Sequence, residues 1–182
     1  FTFIYLSNVQ PNLIKKKSVK HLSVIDNTIN TLIRLNVKFN AEDCRKFLFS
    51  TRFIFQNLDR VIFFDNDLNI VGDTDTLDLD PRSFSTRIDE IEFENLDENE
   101  NNKNNKNKNN NVTETKNLFF KDILNKYLNS DVYGNSHTFI HEDLNQFKLI
   151  TIKNVIKDSS NIGYIAITEN ANDIKIATDE RK

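Results

Sequence analysis

Glycine, proline, cysteine, methionine and tryptophan are nearly missing from this chain of 182 residues: three, two, one, none and none. Phosphate-cradling loops need clustered glycines whose backbone approaches the anion closely, and Gly72, Gly134 and Gly163 are isolated, so no nucleotide site of that kind is encoded. The lone Cys44 excludes an intramolecular disulfide and a four-cysteine zinc site, and its helical surroundings predict buried packing instead of a nucleophile. Charge of one sign is lacking as well, with 24 basic against 27 acidic side chains and a net charge of −3, so no broad field draws the molecule to nucleic acid. What remains is 38% hydrophobic, sufficient for one core and a single domain over residues 1–182. The excess of Asn, Lys and Ile reads as the codon bias of an AT-rich genome more than selection by structure.

The ends suggest a longer parent. FTFIYL opens without an initiator methionine, six residues cannot cross a bilayer that needs about 20 apolar residues in a helix, and no basic n-region or cleavage site is present. The expectation is a fragment cut just after one membrane span, with ENANDIKIATDERK running as an exit helix toward a second.

Between the ends, Leu22, Ile25, Ile29, Leu32, Ile33 and Leu35 recur at helical spacing, and Pro11 suits a first turn, which predicts a long amphipathic helix over about 11–36. Its polar face carries Lys15, Lys16, Lys17, Lys20 and Arg34, a solvated stripe or a contact for anionic lipid. A second helix is expected over 41–56, with Asn40 as its cap. LDRVIFFD and DLNIVGD flank an Asp/Asn turn and predict a hairpin. Residues 97–117 hold ten asparagines, four lysines, four acids and Val112 as the one sizeable apolar side chain, which reads as a disordered insertion inside the domain. A helix over 118–128 and three strands, HTFIHE, FKLITIKNVI and IGYIAITE, follow with polar turns between them. The expected fold is α+β and PAS/PDC-like: a long N-terminal helix, a five-stranded mainly antiparallel sheet and a C-terminal exit helix.

Candidate chemistry is sparse. Asp65, Asp67, Asp73, Asp75, Asp78 and Asp80 invite a divalent cation, but an EF-hand loop started at Asp65 needs glycine where Ile70 stands and glutamate where Thr76 stands. A solvated turn is the simpler reading, with Asp65, Asp67 and Asp73 kept as candidate sensing residues. His137 and His141, beside Glu142 and Asp143, fall on the same face of a strand with no third metal ligand, and neighbouring carboxylates would suit them to acid sensing. No serine lies in a nucleophile elbow. No catalytic residue, cofactor or metal is assigned.

Three stretches carry a resemblance. IYLSNVQPNLIKKK, RVIFFDNDLNIVGDTDTL and SNIGYIAITENANDIKIATDER are similar to the periplasmic stimulus-sensing domain of alphaproteobacterial ChvG/ExoS sensor histidine kinases. Phe64, Asp65, Asp67, Ile70, Asp73 and Thr74 follow that family's hairpin pattern; Ile162, Gly163, Ile167, Thr168, Glu169, Asp173 and Ile174 follow its terminal strand. The family's turn glycine is replaced around Leu68, its GG after Glu169 is Asn170 and Ala171, and the Asn-rich insert has no counterpart. The resemblance implies a homodimeric, non-catalytic sensor in the periplasm between two transmembrane helices of the inner membrane. It also implies a possible periplasmic regulatory partner, and a kinase in the parent chain that serves a cytoplasmic response regulator. Thr168, Glu169, Asp173 and Ile174 would then form the signal-transmission junction. The alternatives are a ligand-binding domain of a chemoreceptor or cyclase, and a soluble interaction module.

Overall fold

The computed structural model describes residues 2–79, 119–131, 134–143 and 146–174. The Asn-rich stretch 97–117 and the helix expected beyond Ile174 lie outside the described residues. Helix α1 spans Thr2–Arg34, so Pro11 stands inside it instead of opening it. Proline has no N–H to donate to the carbonyl four residues earlier, and the helix carries that missing bond.

Asn40 caps α2 (Ala41–Thr51) as expected, accepting from the Asp43 N–H at 2.9 Å. The helix then tightens into a 3-10 turn over Arg52–Phe55, which leaves Phe53 exposed while Phe47 and Phe55 are buried. Strands β1 (Arg60–Phe64), β2 (Ile70–Asp73), β3 (His137–Asp143), β4 (Gln146–Lys157) and β5 (Ser160–Asn170) form one sheet of order β2-β1-β5-β4-β3, antiparallel at every pairing. Residues 119–128 form a further helix, α3.

Strand alternation sorts the core into two sides. Val61, Phe63, Ile165, Ile167 and Val155 meet Ile25 and Leu32 of α1 and Cys44, Phe47 and Leu48 of α2. Ile62, Phe64, Ile150, Ile152, Tyr164 and Ala166 meet Phe120, Ile123, Leu124 and Tyr127 of α3. Each such fully buried aliphatic or aromatic side chain contributes roughly 1.5–3 kcal/mol. Cys44 is wholly buried, and burial, with the charge of Asp43 second, pushes its thiol pKa up to about 12.

Two local features hold the sheet together. Asp158 and Ser159 both have positive φ, 50° and 63°, forming the two-residue turn that joins β4 to β5 with the twist hairpins require. Gly163 admits no side chain: a Cβ there would lie 2.3 Å from the Phe64 carbonyl oxygen and 2.4 Å from the Phe39 ring. That close approach is why a glycine stands at this point of the terminal strand.

Candidate functional site

The inward stripe of α1 is Ile14, Ser18, His21, Ile25, Thr28 and Leu32, spaced by three or four residues. Three of the six are polar. Thr28 is satisfied within the helix by the Val24 carbonyl, whereas Ser18 and His21 reach the sheet. Lys17 also turns inward from its place among the solvated lysines, with its side chain only 21% exposed. Ile33 and Leu35, expected in the apolar stripe, are exposed instead.

These side chains meet the end of β5. His21 is fully buried, with its Nε2 2.7 Å from Glu169 Oε2 and its Nδ1 2.9 Å from Thr151 Oγ1. Lys17 donates to Glu169 Oε1 at 2.9 Å and stands 3.4 Å from Asp173, and Lys20 lies 4.0 Å from Glu169. Thr151 and Thr138 share a hydrogen bond at 2.9 Å, and Thr138 and Ser18 one at 2.5 Å.

Protons on this chain follow from chemistry. Ionised Glu169 can only accept, so His21 Nε2 carries the hydrogen. A neutral ring then accepts at Nδ1 from Thr151, which accepts from Thr138, which accepts from Ser18. Four hydrogen bonds therefore run in one direction from Ser18 to Glu169, linking α1, β3, β4 and β5.

The electrostatics follow the same geometry. Burial lowers the proton affinity of His21 and outweighs the pull of Glu169, so its pKa lies below the usual 6.5. For Glu169, burial alone would raise the pKa, but hydrogen bonds from Lys17 and His21 and the charges of Lys17 and Lys20 hold it below the ordinary carboxylate value. Lys17 is raised: burial opposes its charge and is overcome by the carboxylates of Glu169 and Asp173.

Below the polar chain the interface turns apolar again. Leu13 and Ile14 of α1 pack against Phe147, Leu149, Ala171 and Ile174, and Ile174 belongs to a helical turn at 172–174. Asp59 accepts from the Asn170 N–H, and the Ala171 N–H donates to the Phe147 carbonyl at 2.7 Å. The first half of α1 and the end of β5 are thus joined by both apolar and ionic contacts.

The candidates read from the sequence fare differently. Of the junction set, Glu169, Asp173 and Ile174 come together on α1. Thr168 is buried on the opposite side of β5, beside Ile150 and Arg60, where it helps line an open cavity of about 200 Å³ with Phe119, Phe120 and Lys148. The sensing set is not gathered. His137 and His141 do share a face of β3, half-buried against Phe139 and Phe119 at ring distances of 4.6 and 4.7 Å.

Asp73 sits on β2, four strand spacings from β3 and so roughly 19 Å away across the sheet. Its carboxylate is engaged by Arg60 through two bonds, at 2.9 and 2.5 Å, and the guanidinium stacks 5.1 Å over the Phe120 ring. Asp65 closes its own turn by accepting from the Asp67 and Asn69 N–H groups, and Asp67 is exposed. Among the described residues no cluster of three or more His, Cys, Asp and Glu is placed to hold a metal, and no helix is long and apolar enough to cross a membrane.

Hydrophobic periodicity overlooks His21 because the stripe that carries it is itself polar. The usable signal was positional: His21 lies four residues from Lys17, Ile25 and, through Ser18 and Thr28, on a three-to-four spacing shared with apolar neighbours. No protein-family model matches the chain, and no curated protein matches it significantly.

Proposed function

We propose that this chain is the extracytoplasmic, PAS/PDC-like sensing domain of a bacterial sensor histidine kinase, working as a homodimer between two membrane-spanning helices and performing no catalysis itself. The observation that carries the reading is the packing of Leu13, Ile14 and Lys17, in the first half of α1, onto Glu169, Ala171, Asp173 and Ile174 at and just beyond the end of β5. A domain inserted between two spans must receive and return its chain on one side. A change in the sheet can then pass to the exit segment through elements that α1 also grips. A stimulus acts by differential affinity for two arrangements of this contact, which requires no chemistry at the site.

Two experiments test it. The complete gene should encode about 20 apolar residues before Phe1 and again after Lys182, followed by a histidine-kinase core. A coiled-coil signalling hairpin or a cyclase in that place would transfer the domain to another receptor class, and absence of either span would end the reading. In the intact receptor, a Gly-Gly-Ser-Gly insertion between Ile174 and Lys175 falls after the last buried residue among the described ones, so the domain should stay folded while stimulus-dependent phosphorylation is lost. Phosphorylation of normal amplitude would refute transmission through 168–174.

A further inference from the structure

We infer that the chain Ser18, Thr138, Thr151, His21, Glu169 is a proton-responsive latch that holds α1 to the end of β5 while His21 is neutral and loosens when the ring gains a proton. The charges at the seam already cancel: Lys17 and Lys20 from α1 face Glu169 from β5 and Asp173 from the following turn. Farther along the same face Lys153 of β4 is matched by Asp26 at 2.6 Å. β3 and β4 contribute hydroxyls at the ring itself, Thr138 and Thr151, with Glu142 exposed at the rim of β3.

A proton on Nδ1 adds one unbalanced positive charge to a fully buried ring. It also turns Nδ1 from acceptor to donor, so the Thr151 hydroxyl loses its acceptor, and one hydroxyl of the chain must find a new one. No other histidine is placed this way, since His137 and His141 lie on the opposite side of β3.

The direction of the pH effect is fixed. Because folding lowers the ring's proton affinity, the unfolded or opened state binds more protons below pH 6.5. Attachment of α1 is therefore at full strength above 6.5 and weakens as the pH falls toward the lower pKa of the folded state. Glu169 adds a second loss at more acidic pH, as its own lowered pKa is crossed.

The test uses this chain. Nitrogen-15 NMR at pH 7.5 should show His21 as the Nε2–H tautomer, identified by its disappearance in His21→Gln. Below pH 6.5, amide exchange in residues 17–28 and 167–170, corrected for intrinsic rates, should rise by up to about tenfold per pH unit. His21→Gln keeps a donor toward Glu169 without a titrating ring and should abolish the excess, whereas His137→Gln/His141→Gln should keep it. An Nδ1–H tautomer, an absent excess in the wild type, or an excess that survives His21→Gln overturns the latch. Should His21→Gln fail to fold, the wild-type tautomer and titration still decide. Only the use of the latch in signalling rests on the sensor reading: a titrating latch in a receptor whose output ignores it would sink that reading and leave the latch standing.

Discussion

The two sides of the sheet are built by different rules. On the α3 side, Ile123, Leu124 and Tyr127 meet Ile62, Ile150, Ile152 and Tyr164, and the buried Arg60 pairs at the rim with Asp73 and, at 3.3 Å, with Asp75. On the α1 side, apolar contacts at Ile25 and Leu32 and at Leu13 and Ile14 flank a polar seam from Ser18 to Glu169. Apolar packing is non-directional and insensitive to pH, so the α3 side supplies stability. Hydrogen bonds and charges fix register and titrate, so the α1 side supplies a defined position for the helix and a way to change it.

The largest expected effect lies at the rim pair. Asp73→Ala removes the doubly bonded carboxylate from the buried Arg60, leaving it the half-exposed Asp75 at 3.3 Å, and should cost about 3–5 kcal/mol in urea unfolding, while Arg60→Met/Asp73→Leu together should recover most of that loss. Leu124→Ala opens a cavity in the apolar side and should cost about 3 kcal/mol, by the same amount at pH 7.5 and pH 5.5. A cost that varied with pH would erase the distinction between the two sides.

Thr151→Val keeps the shape of the seam but removes the hydroxyl shared by His21 and Thr138, and should cost about 1–2 kcal/mol by thermal or urea unfolding. The smallest effect lies outside both sides. Ser159→Gly relieves a left-handed residue in the β4–β5 turn and should stabilise by about 1 kcal/mol without altering the pH dependence.

The sequence made the elements legible and the seam illegible. Alternation in RVIFF and YIAIT reveals strands, Asn40 reveals a cap, and a polar gap of Asp158 and Ser159 reveals a tight turn, because each is a local signal. Leu68 is not legible at all: it occupies a left-handed position, φ 62°, that favours glycine and that a leucine does not announce.

The pairing of His21 with Glu169 spans 148 residues and depends on a helix laid across the sheet, which no local pattern encodes. For the same reason His137 and His141 stand out by sitting close in sequence, and Lys17 reads as a solvated charge beside Lys15 and Lys16. Glu169 was reached from the strand-to-helix junction, without its partner.

The most direct test of the account is the coupling between the two ends of that pair. A double-mutant cycle on this chain at pH 7.5, with His21→Ala, Glu169→Ala and both, isolates their interaction from the separate costs of each truncation. A buried hydrogen bond to an ionised carboxylate predicts a coupling free energy of about 1.5–3 kcal/mol that does not shrink on lowering the pH to 5.5, because Glu169 attracts the charged ring more strongly than the neutral one even while burial of that charge weakens the attachment as a whole. Additivity within about 0.3–0.5 kcal/mol at both pH values would contradict it, and would mean that the His21–Glu169 bond does not hold α1 to β5.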